Sequence, residues 1–455
     1  MLKNRMSQDN LEKSPLVGPP PVKEVMINGY HDESIAQSRP FTPVSAFWNT
    51  VKAFAGAGSF ALPWAVSQAG IWIGSIGLVA IALLSNYTMS LLLKCNIKMS
   101  DEQLGTDQPP PSYADLGRRA FGRVGELFVC FMNFSVTMSI CIAYLILIGQ
   151  NFGELVNYNQ QIIIWFILPV IMLLTFLTDM KYLGYTSIFG ALSLLLAMGT
   201  VLTYGGIDYD ILPYKEYHVD YTKVPLWFGV AAFFFCNHIV VIPISHASGD
   251  YHRYPRILDY SMVFITIVNV IFATLAYLYF YSYVDPVSHV KGVPSSITQA
   301  LPNGVFANIV RMCVVFELTC SFPIVCGAGL NVVDSSIEFF HRHFSAFPNG
   351  ALNNEGEKMF FSRNWMFYAV RIGLTAVLAA VATTITNFGS FTSLIGSLML
   401  AIAGFVLPPL VYIKFFPEQS RLSFIIHIII SVFGVGATIL GTYQSILSLI
   451  NPPPS

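Results

Sequence analysis

The apolar segments of the chain are its strongest constraint, because eleven of them follow one another and each is close to the length that crosses a lipid bilayer. A membrane-spanning helix needs roughly 20 apolar residues to cross the hydrocarbon core. Only 11% of the 455 residues are charged, whereas a soluble chain carries about 25%. The sequence therefore predicts an all-α polytopic membrane protein with eleven transmembrane helices, near 44–66, 71–95, 124–149, 161–178, 184–205, 223–244, 259–282, 303–326, 364–386, 390–413 and 423–449.

The ends and loops of the chain predict its orientation. Residues 1–43 are polar and proline-rich, which is typical of a disordered tail. If that tail is cytoplasmic, the positive-inside rule holds loop after loop. The inner loops then carry Lys98, Arg118, Arg119, Arg123, Lys181, Arg253, Arg256, Arg342, Lys358, Arg363, Lys414 and Arg421, and the outer loops only Lys215, Lys223 and Lys291. We therefore expect a multi-pass membrane protein with a cytoplasmic N-terminus.

The first apolar segment, FWNTVKAFAGAGSFALPWAVSQAG, is interrupted near the expected middle of the membrane. Gly56, Ala57, Gly58 and Ser59 lie together and Pro63 follows, so helix propensity falls there. Unpaired backbone groups are too costly to face lipid, so a break at this depth must lie inside the protein. The N-terminal N–H groups of the second half-helix then suit an anionic ligand such as a carboxylate. The alternative is a small-residue surface on which another helix packs.

The sixth segment carries a second irregularity, with Asn237 and His238 mid-membrane and Pro243 after them. A lone buried histidine is more often a hydrogen-bonded structural residue than a ligand. Here, however, the break recurs at the first helix of a second set of five. Two interrupted helices in corresponding positions of two halves indicate an inverted-repeat transporter with a central site. The two repeats would be 44–205 and 223–413, with 423–449 as an added eleventh helix.

The eighth segment places Glu317 deep in hydrocarbon, together with Thr319 and Ser321. Lys52 lies about 12 Å from the inner end of the first span, and Glu317 lies about 9 Å from the inner edge of the core. Opposite charges at matching depth would offset each other's desolvation. We therefore predict a Lys52–Glu317 pair that latches an inner gate. Arg371 is a rival partner, and Lys52 could instead extend to the cytoplasmic headgroups.

Four passages give the chain its resemblance to a known family: KAFAGAGSFALPWAVSQAG, SYADLGRRAFGRVGE, SSITQALPNG and TNFGSFTSLIGSLMLAIAGFVLPPLVYI. The chain resembles the amino acid/auxin permease family, which includes vacuolar, vesicular and proton-coupled amino-acid transporters. The resemblance implies a LeuT-like fold, a 5+5 inverted repeat plus one helix. It also implies an amino acid held between the two broken helices. Carried over by position, the substrate-binding residues are Ala55, Gly56, Ala57, Gly58 and Ser59, with Phe234, Phe235, Cys236 and Asn237 as the facing wall.

Two departures from the family pattern leave the coupling ion open. Proton-coupled members have a histidine in the first half of span one, where this chain has Asn49. Many relatives place a glutamate just after the proline that ends span six, where this chain has Ser245 and His246. We expect protons rather than sodium to drive transport, on the resemblance and because His238 could titrate in a partly wet cavity.

The function that fits these features is secondary active transport of small neutral amino acids by alternating access. The second break offers no formal charge to a charged side chain, which favours a neutral substrate. The alternative is a membrane amino-acid sensor that signals through its cytoplasmic tail. No enzymatic or metal-binding spacing surrounds His238, His246 and His252, and a net charge of −1 gives no field for nucleic acid. We expect no cofactor, an amino acid and lipid as partners, and a vacuolar, lysosomal or plasma membrane; protein partners cannot be predicted.

Overall fold

The computed structural model describes residues 42–105, 108–176, 181–217, 219–286, 289–344 and 365–451, without the side chains of 181–189, 331–344 and 365–367. In these ranges the chain is almost entirely helical. The helices of the first half are α1 (Pro43–Phe54), α2 (Leu62–Ala69), α3 (Ile71–Glu102), α4 (Tyr113–Val156), α5 (Gln160–Thr175) and α6 (Lys181–Asp208). Those of the second half are α7 (Val224–Phe235), α8 (His238–Ala247), α9 (Tyr254–Phe280), α10 (Val305–Phe344), α11 (Trp365–Thr384), α12 (Phe388–Ile395), α13 (Leu407–Phe415) and α14 (Arg421–Ile450).

Eight helical stretches in the described part of the chain are long and apolar enough to cross a membrane. They are Ile71–Glu102, Tyr113–Val156, Gly190–Asp208, Tyr221–Ala247, Tyr254–Phe280, Val305–Leu330, Phe388–Phe415 and Arg421–Ile450. Two shorter apolar helices, Gln160–Thr175 and Tyr368–Thr384, lie where further spans are predicted. The polytopic membrane class is thus confirmed, whereas the count of eleven and the inverted repeat stay predictions. The predicted tail, residues 1–43, lies outside the described residues except for Thr42 and Pro43, and Thr42 caps α1.

The segment before the third predicted span is helical and continuous with that span. Ser112 and Asp115 form a capping box in which each side chain accepts from the other's backbone N–H. The helix kinks at Gly122, whose φ of 68° favours glycine. Tyr113 lies buried and donates from its hydroxyl to the carbonyl of Ala403, at 3.0 Å. This contact ties the start of α4 to the tenth predicted span.

The tenth predicted span is not the continuous α-helix that the sequence predicts. Between α12 and α13 it contains two π-helical stretches, Gly396–Leu400 and Ile402–Val406. Such wider turns often mark functional sites. They begin where the span crosses α7, because Gly396 lies against the backbone of Gly229 so closely that a Cβ would overlap its carbonyl oxygen. The crossing therefore depends on two glycines.

Serine side chains fasten α12 to its neighbours on both sides. The Ser393 hydroxyl donates to the carbonyl of Leu226 in α7, at 2.6 Å, and also lies 2.8 Å from the Ser445 hydroxyl in α14. The hydroxyls of Ser390 and Ser448 are 2.7 Å apart, which makes a second α12–α14 link. Interhelical hydrogen bonds of this kind stabilise packing where lipid supplies no hydrophobic drive. The small residues of the tenth span thus serve helix packing.

We predict that Gly229→Ala destabilises the protein by about 1–3 kcal/mol, the usual effect of overpacking a tight core. The added Cβ would overlap the carbonyl and hydroxyl oxygens of Ser393. Thermal unfolding of the purified protein in detergent measures the effect. The control is Gly436→Ala in α14, where a Cβ meets no atom within 4 Å; there the melting temperature should stay or rise. Equal melting of the two variants would contradict the close α7–α12 crossing.

Candidate functional site

The first predicted break is present at the predicted residues. α1 ends at Phe54, and Ala55 and Gly56 continue in an extended conformation, with ψ of 95° and −163°. A 3₁₀ helix, Ala57–Ala61, leads into α2, which carries Pro63 in its first turn. Two glycines and a proline account for this interruption, since glycine lowers helix propensity and the proline has no N–H to donate.

The break leaves backbone donors unused. In the described part of the chain, the N–H groups of Gly56, Ala57 and Gly58 donate to no backbone carbonyl. The Ser59 hydroxyl is also fully buried and has no hydrogen-bond partner. Buried polar groups normally find a partner, and each unsatisfied one costs about 1–3 kcal/mol. The cluster of free donors is therefore suited to a ligand with hydrogen-bond acceptors, above all an anion.

The second predicted break is also present, between α7 and α8, and side chains donate to two of the carbonyl groups that it exposes. Asn237 donates from its side-chain nitrogen to the carbonyl of Phe234, at 2.9 Å. The hydroxyl of Ser85 in α3 donates to the carbonyl of Phe235, at 2.7 Å. Side chains thus satisfy acceptors that the helix end releases, although the N–H groups of His238 and Ile239, like those of the first break, donate to no backbone carbonyl in the described chain.

The two breaks meet through glycine and phenylalanine. A Cβ at Gly58 would lie 3.1 Å from Cδ1 of Phe233 and 3.3 Å from Cδ2 of Phe234. Phe234 therefore faces the first break, where the sequence places it. Phe233 does so as well, although the family resemblance places the start of the facing wall at Phe234. Cys236 is directed elsewhere, since its Sγ lies 3.9 Å from the Ser85 hydroxyl and close to Gly404.

A small cavity lies beside the first break, between α6 and α10. It is lined by Ala55, Gly56, Ala57, Phe60, Gly190, Ser193, Leu194, Val314, Glu317 and Leu318. Its volume of ≈ 10 Å³ is room for about one water molecule. This conformation is therefore closed around the break, and a larger ligand needs the surrounding helices to move.

Glu317 brings a carboxyl group to this cavity. The Ser321 hydroxyl donates to its Oε1 at 2.8 Å. Lys52 lies near enough to interact with it electrostatically, but no salt bridge within 4.0 Å joins these two described residues. The predicted contact between Lys52 and Glu317 is therefore not made in this conformation. The rival cation, Arg371, donates from Nε to the carbonyl of Thr175, at 3.2 Å.

His238 is not in a wet cavity, so that part of the sequence prediction is wrong for this conformation. Its side chain is fully buried, and its Nε2 lies 2.9 Å from the hydroxyl of Thr88 in α3. A Cβ at Gly404 would lie 2.9 Å from Cε1 of His238. The histidine is thus packed between α3 and the π-helical part of the tenth span. The signal that was missed is Thr88, a hydroxyl at a similar membrane depth.

The remaining predicted gating residues lie apart from the cavity lining. The Thr319 hydroxyl donates to the carbonyl of Val315 in its own helix, at 2.7 Å. Asn49 is exposed on the surface of α1. Its neighbour Thr50 is buried instead, with its hydroxyl 3.1 Å from that of Tyr254 in α9. The buried polar contact of α1 is therefore made by Thr50, one residue after the position at which proton-coupled members of the family have a histidine.

The comparisons with known proteins agree with a membrane transporter. Residues 39–447 match the family model described as transmembrane amino acid transporter protein. The chain is 26% identical to amino acid transporter ANT1 of Arabidopsis thaliana over 88% of its own length and 91% of that protein. It is 24% identical to amino acid transporter AVT3C of the same plant, over 95% of the chain and 96% of the relative. Amino acid transporter AVT1E is 22% identical, over 91% of the chain and 74% of the relative.

The match covers both broken helices, the cavity beside the first and the helices that pack around them. It confirms the resemblance to amino acid/auxin permeases, and it identifies the chain's relatives as transporters and not enzymes. The chain is therefore a multi-pass membrane protein that belongs to the transmembrane amino acid transporter family.

Proposed function

We propose that the chain is a secondary active transporter of small neutral amino acids that works by alternating access and is driven by protons. The observation that carries the proposal is the set of free N–H groups at Gly56, Ala57 and Gly58, beside a cavity in the membrane-spanning part of the protein. An amino acid needs such donors for its carboxylate when it leaves water. The carbonyl groups at the end of α1 are the matching acceptors for its ammonium group.

The lining of the cavity favours a small, uncharged side chain. Apart from Glu317, the lining residues are apolar or small, and Phe60 supplies an aromatic surface. Phe233 and Phe234 contact the other face of the first break. A charged side chain would need a fixed partner of opposite sign to offset its desolvation, and the one carboxyl group among the lining residues, that of Glu317, already accepts from Ser321. A neutral one requires only space, which the closed conformation must open.

The first broken helix has the features of a moving part. α1 packs on α9 and α8, but it exposes Val44, Trp48 and Asn49 along one side. Ala55 and Gly56 separate it from the next helical residues by two extended residues, which can act as a hinge. We infer that α1 swings at this hinge to open the cavity toward the cytoplasm, where the N-terminus would lie. The membrane would be vacuolar, lysosomal or plasma membrane.

The energy source follows from the family resemblance, which favours protons over sodium. The sequence also allows an alternative to transport, a membrane amino-acid sensor that signals through its cytoplasmic tail. The relatives are named amino acid transporters, so the comparisons give that alternative no support.

We predict that Gly58→Val abolishes transport. The valine side chain would displace the Phe233 and Phe234 rings, since its Cβ alone would lie within 3.1–3.3 Å of both. The companion variant is Gly56→Ala, whose Cβ meets no atom within 4 Å and enters open space at the cavity. It should keep the wild-type melting temperature and raise KM by more than about tenfold, because the methyl group occupies space that the substrate needs beside the free N–H groups. A tenfold change corresponds to ~1.4 kcal/mol of substrate binding. Radiolabelled uptake into proteoliposomes measures both variants, and wild-type uptake by both would refute the central site.

We further predict that uptake of a neutral amino acid follows an imposed pH gradient and ignores a sodium gradient. Proteoliposomes would be loaded at one pH, diluted into a more acidic buffer with or without sodium, and offered a panel of labelled amino acids. A protonophore should abolish accumulation but not exchange. Accumulation that needs sodium and persists at equal pH would reverse the choice of ion while leaving the transport proposal intact.

A further inference from the structure

Glu317 is the ionisable side chain that the fold brings into the cavity at the first break. Its neighbour on α6 is Gly190, where a Cβ would lie 2.6 Å from Cγ of Glu317 and 3.0 Å from its Oε1. Any larger residue at position 190 would push the carboxyl group aside. The absence of a side chain there gives Glu317 its place beside Gly56 and Ala57.

The surroundings of the carboxyl group leave one of its oxygens available. Oε1 accepts from the Ser321 hydroxyl, and this bond can persist whether the carboxyl is ionised or protonated, because the carbonyl oxygen accepts in both forms. Oε2 forms no hydrogen bond to a described residue. The hydroxyl of Ser193 lines the same cavity, is 3% exposed and has no hydrogen-bond partner. A buried hydroxyl without a partner beside a free carboxylate oxygen is a place where a proton can be held.

Two other ionisable groups interact electrostatically with Glu317, among the described residues. Lys52 acts from α1 and Tyr144 from α4. Lys52 matters more, because it is cationic and lies on the half-helix that ends at the hinge. An ionised Glu317 attracts Lys52, and a protonated Glu317 does not. The charge on one carboxyl group therefore biases the position of α1.

We propose that Glu317 carries the coupling proton, and that its ionised form favours the closed position of α1 by attracting Lys52 over a distance longer than a direct salt bridge. The inference rests on the proposed transport function and identifies the group that couples it. A proton from water on the outer side forms an O–H bond at Oε2, which releases Lys52 and lets α1 swing. The proton then leaves to water on the inner side with the amino acid, and the ionised carboxylate draws Lys52 back. His238 has no such access, since it is fully buried outside the cavity.

The test compares two transport modes of Glu317→Gln in proteoliposomes. Gradient-driven accumulation should be lost, because the amide cannot take and release a proton. Exchange of external labelled for internal unlabelled amino acid should continue and should no longer depend on pH, because the amide mimics the protonated form. Glu317→Asp should restore accumulation with a displaced pH profile. Glu418→Gln, the same change at an exposed site between α13 and α14, should behave as wild type.

The outcomes separate this inference from the proposal beneath it. Wild-type protein that neither exchanges nor accumulates amino acids would refute the transport function itself. If Glu317→Gln accumulates along a pH gradient, or if it loses exchange together with accumulation, the proton does not reside on Glu317. A wild-type pH dependence of exchange in that variant would have the same meaning.

The role of Lys52 has its own measurement. Lys52→Met, Glu317→Gln and the double variant form a cycle on the rate of exchange. We expect Lys52→Met to change the rate in the wild-type background and to have little further effect when Glu317 is already an amide. Strictly additive changes would show that the two side chains do not act on each other, and the closing role of Lys52 would then be rejected.

Discussion

The cost of leaving backbone groups unpaired inside a membrane governs this structure. Each helix break near the membrane centre releases donors and acceptors that lipid cannot satisfy. At the second, Ser85 and Asn237 occupy the carbonyls of Phe235 and Phe234. At the first, three consecutive N–H groups donate to no carbonyl in the described chain. An arrangement that is costly without a ligand gains stability when one binds, which is how a selective site differs from a packing defect.

The sequence predicted the positions of both breaks because they depend on local chemistry. Gly56, Gly58 and Pro63 lower helix propensity wherever they occur, and Asn237 with His238 is conspicuous in any apolar segment. The membrane class followed from composition in the same way. These features need no knowledge of what lies across the bundle. The eleven-helix count and the inverted repeat, by contrast, depend on how helices are related in space.

Contacts between distant segments could not be predicted from the sequence. Its own segment alone indicates that His238 could titrate, but contacts with Thr88 and Gly404 bury it. Lys52 and Glu317 were paired by depth alone, which does not fix the separation in the membrane plane. The two π-helical stretches that begin at Gly396 also escaped prediction, since their residues are common in ordinary transmembrane α-helices. In each case the deciding partner is many residues away in the chain.

The glycine crossing of α7 with the tenth span has a consequence for which parts can move independently. Gly229 and Gly396 bring two backbones together, and Ser393 joins both α7 and α14 to α12. We expect these three elements to move as one block, because no side chain at the glycine crossing can change rotamer to let them slide. The half-helix α1 has no comparable attachment to that block among the described contacts. Alternating access would then require α1 to move against a fixed block of helices, and not two halves of the protein to rotate against each other.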